Sequence, residues 1–328
     1  MRERILDLLV SREGEFVSGE ELSKLLGISR AGVWKHINRL REEGYKIESQ
    51  TRLGHRLERN SIPLNKFELC RNLETATLGS EFVVLREVVS TNDTAKELAR
   101  SGAGTGTVVI ADMQTGGRGR RGRHWISPAG GIWMSVILRP GMELKDVAIY
   151  TLLAGVAVAA AINKVTGLKS GIKWPNDILI KGKKVGGILT EVFGEWQAVD
   201  FLVIGIGVNV NLSEDKLPAG VDSTSLSLEL GKPVELVNLI RAILQELERL
   251  EEKFMSGGIS LVLSEWRQLA VCLNRPITVR EFDREWYGES VDITSDGALL
   301  VKTAQDQVVK LYSGDVSLRT GQGDYQFT

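Results

Sequence analysis

Residues 115–125, TGGRGRRGRHW, combine four arginines with four glycines. Glycine lets the backbone approach a ligand closely and present its N–H groups, and the arginine fork matches carboxylate or phosphate oxygens. The stretch lacks the GK[ST] ending of a Walker A loop and does not open a helix as the dinucleotide-binding GxGxxG does. It therefore suits either a small phosphorylated ligand or an exposed RNA-binding patch.

Three further segments carry polar groups that could complete such a site. STND at 90–93 puts hydroxyl and amide groups at the predicted start of a helix, although a helix cap alone would explain them. KWPND at 173–177 sets an amide and a carboxylate beside a lysine, an aromatic ring and a proline. KVGGILTE at 184–191 puts Lys184 before a glycine pair and an apolar strand, where its ammonium reaches an anion or stays solvated with neighbouring lysines.

The elements that must position these segments alternate between strand and helix from about residue 80, which predicts an α/β domain with a mostly β sheet. The glycine–arginine stretch lies between two of the predicted strands, inside the domain. Short strands and turns from residue 275 onward predict a small β-barrel of about fifty residues. The predicted strands lie in 81–89, 106–114, 130–140, 171–193 and 198–212, and the predicted helices in 91–102, 147–162 and 234–255.

Residues 1–60 have a different organisation. Ser18 and Ser29 are predicted N-caps of two short helices, which Gly27 and Gly44 end, and an alternating segment around Gly54 predicts a small hairpin. Residues 1–27 hold four Lys/Arg and six Asp/Glu, whereas residues 28–60 hold eight and four. The order of elements is that of a winged helix-turn-helix, with its positive side on the recognition helix and wing. A helical domain with a solvated basic face is the alternative.

The bulk composition is that of a globular protein. The 328 residues carry a net charge of −1, so any nucleic-acid surface must be local. The two cysteines, Cys70 and Cys272, form no cluster, and the first ten residues are too charged for a signal peptide, so we expect a cytoplasmic protein with reduced thiols. The apolar run 147–162 is short for a membrane span, and we predict a buried core helix there.

Taken together, GRGRRGR, KWPND and the KxxGIL pattern that begins at Lys184 resemble the biotin–protein ligases, specifically the bifunctional bacterial type that is also the biotin operon repressor. The resemblance covers the whole chain. It implies a winged helix in 1–62, a catalytic α/β domain with a class II synthetase-like mixed sheet in 63–272, and an SH3-like β-barrel in 273–328.

In that family, biotin and ATP form biotinyl-5′-AMP, and biotin then passes to a lysine of the biotin carboxyl carrier protein of acetyl-CoA carboxylase. The resemblance implies catalytic roles for Lys184, Arg118 and Arg120, and a weak one in Mg²⁺ binding for Asp177. The implied biotin contacts are Ser90, Thr91, Asn92, Gln114, Gly117, Arg118, Gly119, Arg120 and Lys184. The implied nucleotide contacts are Arg120, Arg121, Trp125, Asn176, Asn209 and Arg319.

The resemblance also implies an operator-binding, ligand-promoted homodimer with no membrane association. We expect the adenylate, which orders the loop, to promote dimerisation more than biotin does. We expect Trp34 to pack inward, and we leave Trp174 open between core and ligand contact. The expected DNA contacts are Ser18, Ser29, Arg30, Ala31, Lys35 and Arg39.

Three other functions are compatible with parts of the sequence. A lipoate or octanoyl transferase shares the catalytic fold but generally lacks both the winged helix and GRGRRGR. A purely regulatory protein with a dead catalytic domain would not need Lys184, Asn176 and the complete arginine loop. An RNA-binding role would call for stacking aromatics beyond Trp125.

Overall fold

The computed structural model describes residues 1–318 except Glu13 and residues 59–61, 142–146, 195–197 and 282–283. The chain divides into two compact units, Met1–Glu68 and Leu69–Thr328. The segment predicted as a linker contains a short helix at this division, and residues 60–61 of that segment lie outside the described part of the chain.

The first unit is a winged helix. The hydroxyl oxygen of Ser18 accepts from the backbone N–H of Glu21 at 3.0 Å, and that of Ser29 from Gly32 at 3.1 Å, which confirms both predicted caps. Its core is a cluster of buried apolar side chains from all three of the first helices. The elements are α1 (Arg2–Ser11), α2 (Gly19–Leu26), α3 (Arg30–Glu42), β1 (Ile47–Gln50), β2 (Gly54–Leu57) and α4 (Lys66–Cys70).

A seven-stranded mixed sheet organises the second unit. Its strand order is β3-β4-β5-β9-β8-β7-β6, in which β3 and β4 are parallel and all other neighbours are antiparallel. The central strand β9, FLVIGIGV, is apolar without alternation because its side chains are buried on both faces of the sheet. The strands are β3 (Glu81–Val88), β4 (Thr107–Gln114), β5 (Ile132–Leu138), β6 (Ser170–Lys173), β7 (Asp177–Ile180), β8 (Lys183–Phe193) and β9 (Phe201–Val208).

In the described part of the second unit, five α-helices accompany this sheet. The long apolar helix α6 could cross a membrane by length and composition alone, but most of its side chains are buried against α8, α9 and the sheet, as predicted for a core helix. The sequence pattern did not indicate α7 or α9. The helices are α5 (Thr91–Arg100), α6 (Val147–Thr166), α7 (Leu226–Leu230), α8 (Leu236–Gly257) and α9 (Ile259–Leu269).

The last part of the second unit is a five-stranded antiparallel sheet of order β13-β12-β11-β10-β14, in the place predicted for the small β domain. Trp174 connects this sheet to the seven-stranded sheet: the buried indole donates from Nε1 to the Gly297 carbonyl at 3.1 Å. The strands are β10 (Arg275–Glu281), β11 (Arg284–Ile293), β12 (Leu299–Thr303), β13 (Val308–Leu311) and β14 (Asp315–Leu318).

Candidate active site

One cavity of about 180 Å³ gathers side chains from α5, the glycine–arginine loop and strands β7, β8 and β9. Gly117 and Arg121 do not line it, and Arg319 lies outside the described residues. Segments as far apart in sequence as Ser90 and Asp315 therefore converge on one volume. The predicted site residues that line it are Ser90, Thr91, Asn92, Gln114, Arg118, Gly119, Arg120, Trp125, Asn176, Asp177, Lys184 and Asn209.

The polar floor of the cavity is a connected hydrogen-bond network. The N–H of Thr91 donates to Gln114 Oε1 at 2.8 Å. Ser135 Oγ, fully buried on β5, lies 2.8 Å from Thr91 Oγ1 and 2.6 Å from Asn92 Oδ1. Asn92 Nδ2 donates to Glu191 Oε2 at 2.6 Å. Each side chain is thus fixed by another, so that donors and acceptors are held in place before a ligand arrives.

Ser135 and Glu191 do not line the cavity but hydrogen-bond to residues that do, and neither was predicted from the sequence. Ser135 lies within the apolar strand IWMSVIL, and one serine there is compatible with ordinary strand packing. Glu191 lies on β8, seven residues after Lys184, where a strand carboxylate carries no motif of its own. Only the pairing of β5, β9 and β8 brings both side chains to Asn92.

Ion pairs hold the glycine–arginine loop on both sides. Arg118 forms a two-pronged pair with Asp93, at 2.7 and 2.6 Å. Burial alone would raise the pKa of Asp93, but the positive charges of Arg118 and Lys96 outweigh burial and lower that pKa. On the other side, both Arg121 and Arg123 pair with Asp315 of the C-terminal sheet. The Arg121 guanidinium thus pairs with a carboxylate that itself lines the cavity, although Arg121 is not a lining residue, and its nucleotide contact stays a prediction.

Arg120 differs from these loop arginines in its partner. Its Nη1 donates to the Asn176 amide oxygen at 3.1 Å, and Asn176 Nδ2 donates to the Ile188 carbonyl at 2.9 Å. Burial is the main cause that lowers the pKa of Arg120, although the group stays charged at neutral pH. A guanidinium held by a neutral amide keeps its full charge for an anionic ligand.

Lys184 owes its position to an irregular strand pair. Ile178 pairs with Gly186 whereas the next residue, Leu179, pairs with Lys184, so β8 carries an extra residue at this point. Such bulges redirect a side chain at the edge of a site. The Lys184 ammonium lies 2.6 Å from Asp177 Oδ1 and 5.1 Å from the centre of the Trp125 ring.

Asp177 is held between two ammonium groups, Lys184 at 2.6 Å and the buried Lys173 at 3.3 Å. Burial opposes its ionisation, but the two lysines outweigh burial and lower the pKa of Asp177. Both carboxylate oxygens of Asp177 thus face ammonium groups. Two neighbouring positive charges do not fit a site for a divalent metal ion. Among the described residues, no group of three or more His, Cys, Asp or Glu side chains could hold a metal ion.

The Trp125 indole lies in a slot cleared by two glycines. A Cβ at Gly207 would lie 2.7 Å from the indole Nε1, and one at Gly187 would lie 3.2 Å from Cζ3. Within the described part of the chain, this buried Nε1 has no hydrogen-bond partner. Asn209, two residues after Gly207, is also buried and donates to the Thr224 carbonyl at 3.1 Å. The GIGVN segment thus shapes the Trp125 side of the cavity.

Trp174, which the sequence analysis left open between core and ligand contact, does not line this cavity. Its side chain is 1% exposed. The KWPND segment therefore supplies Asn176 and Asp177 to the site, while its tryptophan serves the core.

The predicted DNA-binding face is a property of the first unit. Helix α3 buries Val33 and Ile37 and leaves Arg30, Lys35 and Arg39 exposed. Lys35 and Arg39, four residues apart, thus share the side of the helix opposite the core, and Arg30 is exposed at the first residue of the helix.

Two of the expected DNA contacts, Ser18 and Ser29, already use their hydroxyl groups to cap helices. Ala31 is exposed in the first turn of α3.

The expectation that Trp34 packs inward is wrong: its side chain is 60% exposed. Val33 already fills the inward position of that turn, so the adjacent side chain points outward.

Three parts of the chain match known protein families. Residues 84–209 match the biotin/lipoate A/B protein ligase family, residues 2–56 a helix-turn-helix domain, and residues 272–319 the biotin protein ligase C-terminal domain. The fold is similar to that of a biotin protein ligase from Aquifex aeolicus in complex with biotin and ATP, with a TM-score of 0.65 and 30% identity over 73% of this chain and 99% of that one.

Two relatives are similar along nearly their whole length. The chain is 40% identical to the bifunctional ligase/repressor BirA of Bacillus spizizenii, over 97% of this chain and 98% of the relative. It is 32% identical to BirA of Escherichia coli, over 94% and 95%. Because this similarity includes the DNA-binding unit as well as the catalytic one, the chain belongs to the family of bifunctional biotin ligase/repressors.

Proposed function

We propose that this protein joins biotin to ATP, giving biotinyl-5′-AMP and pyrophosphate, and then transfers biotin to a lysine of a biotin carboxyl carrier protein. Its family membership and the match to ligases supply the reaction class. The observation that carries the proposal is the convergence of Lys184, Arg120 and the polar floor on one cavity.

The first half-reaction brings two anions together. A biotin carboxylate oxygen attacks the α-phosphorus of ATP, and the bond to pyrophosphate breaks. Arg120 and Lys184 line the same cavity and supply positive charge where the negative charge accumulates. No side-chain nucleophile is required, since the carboxylate of biotin is the nucleophile. The loop that carries Arg120 would shield the mixed anhydride from water.

We assign the biotin contacts to the floor and the loop. Thr91, Asn92 and Gln114 already form one hydrogen-bond network, which supports a polar bicyclic ligand at that end of the cavity. Ser90, Gly119 and Arg118 border the same volume, and Gly117 packs behind it, where a Cβ would meet the Trp125 carbonyl oxygen at 2.5 Å.

The nucleotide is assigned to the other end. Trp125, Asn176 and Asn209 border the cavity there, while Arg121 serves the loop through Asp315. Mg²⁺ enters this proposal only with ATP, through the phosphate oxygens, because Asp177 is occupied by two lysines. Arg319 stays a prediction.

Regulation would use the first unit. We infer that two winged helices bind a two-fold operator when the adenylate-loaded protein forms a homodimer in the cytoplasm. The exposed cations of α3 support the DNA contact. Sedimentation at increasing adenylate concentration tests the dimer, and equal dimerisation with and without the adenylate would contradict it. We keep 62 and 272 as domain boundaries; the separate family matches at 2–56, 84–209 and 272–319 support them.

Biotin-dependent ATP–pyrophosphate exchange tests the catalytic proposal, with lipoate as the alternative substrate. We expect exchange with biotin and none with lipoate. Lys184→Ala should lower exchange by about 10²-fold or more, since it removes a charge aimed at the reacting groups. Lys181→Ala is the matched control, because Lys181 is exposed and pairs with Glu229 outside the cavity. A well-folded protein without exchange would leave a biotin-responsive regulator.

A further inference from the structure

A second cavity of about 130 Å³ adjoins the active-site cavity. The two share Arg120, Ile188 and Leu189 as common walls. The other walls of the second cavity come from the first turns of α6, from Trp174–Pro175 and from turns of the C-terminal sheet. The arginine that we assign to the reacting groups thus lies between two volumes.

The lining of the second cavity combines apolar and polar groups in similar measure. Ala148, Leu152 and Pro175 supply apolar surface, and the Thr151 and Thr190 hydroxyls form a hydrogen bond at 2.8 Å. Such a lining accepts a methylene chain that carries a polar tip. The main lining fits a lysine side chain better than it fits a phosphate or a sugar.

The two ends of this cavity differ in charge. At the C-terminal sheet, Tyr312 is 62% exposed and donates from its hydroxyl to Asp296 Oδ2 at 3.0 Å. At the inner end lies the partly buried Arg120 guanidinium. A carboxylate beside the entrance attracts an ammonium group, and a guanidinium at the inner end favours the neutral amine, which is the nucleophilic form.

The second half-reaction imposes a separate requirement. The acceptor amine must reach the acyl carbon of the mixed anhydride while the loop still keeps water out. If the amine entered under the loop, the ion pairs of Arg118 with Asp93 and of Arg123 with Asp315 would have to break. Entry from the far side of Arg120 leaves those pairs intact.

We propose that the second cavity is the entrance for the acceptor lysine of the carrier protein; this inference rests on the proposed ligase function. The lysine nitrogen forms a C–N bond to the acyl carbon, and the C–O bond to the phosphoryl group breaks. AMP leaves with that electron pair, and the nitrogen releases a proton to water. Arg120 then faces the adenylate on one side and the incoming amine on the other.

The test separates the two half-reactions in one set of proteins. Ala148 is exposed, and its Cβ lies 3.6 Å from where a Cβ on Gly297 would stand, so Ala148→Phe should fill the cavity without disturbing the core. We expect pyrophosphate exchange within twofold of the wild type, and transfer from preformed adenylate to the carrier domain of acetyl-CoA carboxylase lowered about tenfold or more. Ala304→Phe, in an exposed turn of the C-terminal sheet, is the control and should keep both activities.

Each outcome decides the inference. Wild-type transfer by a folded Ala148→Phe protein would overturn it, and so would an equal loss of exchange and transfer, since that indicates damage to the adenylation site. Should Ala148→Phe melt early, Asp296→Lys decides: we expect a raised KM for the carrier with unchanged exchange, and an unchanged KM would overturn the inference. Absence of exchange in the wild type would instead remove the ligase proposal itself.

Discussion

The glycine–arginine loop and helix α3 are both rich in cations, but they hold them in opposite ways. In the loop, Arg118 pairs with Asp93, and Arg123 pairs with Asp315. On α3, Lys35 and Arg39 are exposed, and no carboxylate of a described residue lies within ion-pair distance of either.

This difference matches two kinds of anionic ligand. A small molecule presents one or two charges at fixed positions, so its cations must be few and rigidly placed, as Arg120 is by Asn176. A nucleic acid presents a row of phosphates, and exposed cations act on it additively through a field that salt screens. Substitutions in the loop should therefore act singly and steeply, and those on α3 cumulatively and with salt.

The largest expected effect belongs to Arg120. Arg120→Ala should lower biotin-dependent pyrophosphate exchange about 10²- to 10³-fold, because it removes a partly buried donor that we place at the developing charge. Arg120→Lys should recover only part of the loss, since an ammonium cannot replace the planar fork. Arg86→Ala, an exposed arginine on β3, is the control. Exchange within threefold of the wild type for Arg120→Ala would break the comparison.

On α3 we expect smaller, additive effects. Lys35→Ala and Arg39→Ala should each weaken operator binding about eightfold at 0.1 M salt. Each phosphate contact adds roughly 0.9 to the slope of log K against log salt, and this slope corresponds to about eightfold in affinity between 1 M and 0.1 M salt. The double variant should combine both losses and lower that slope by about two. Fluorescence anisotropy between 0.05 and about 0.3 M salt measures both quantities. A single dominant residue, or an unchanged slope, would mean that α3 reads DNA in another way.

The smallest effect should come from the ion pair that holds the loop. Asp93→Asn removes the nearer carboxylate partner of Arg118, and we expect the KM for biotin to rise roughly three- to fivefold, about 0.7–1 kcal/mol, with little change in thermal stability. Arg118→Gln should give a similar rise, and the double variant should be no worse than either single one, because both remove the same interaction. Additive losses would argue that the two side chains act independently. Asp112→Asn, exposed on β4, is the control.

The pH dependence of that effect has a definite sign. The pKa of Asp93 is lowered from 3.8, so the pair is present above that value and is lost only as pH falls through the lower folded-state pKa. The difference in biotin KM between wild type and Asp93→Asn should therefore be the same at pH 6 and pH 9. A difference that disappears within this range would mean that another group controls Arg118.

Local sequence determined much of this protein. Ser18 and Ser29 cap helices because capping depends on residues three positions apart, and Gly27 ends α2 because it adopts a left-handed conformation. The segments that line the cavity were recognisable as motifs, since their chemistry requires particular residues in short runs. The length and Ala-rich composition of the apolar run 147–162 predicted α6 as a buried helix.

Tertiary structure decided which of those residues share a partner. Ser135 and Glu191 support Asn92 only because β5, β9 and β8 pair in register, and nothing in either local segment signals it. Arg121 turns to Asp315, 194 residues away, although it lies next to Arg120 in the same motif. Adjacent residues in an irregular loop point in directions that backbone geometry fixes, and long-range pairing is fixed by packing, so neither can be determined from the order of the residues alone.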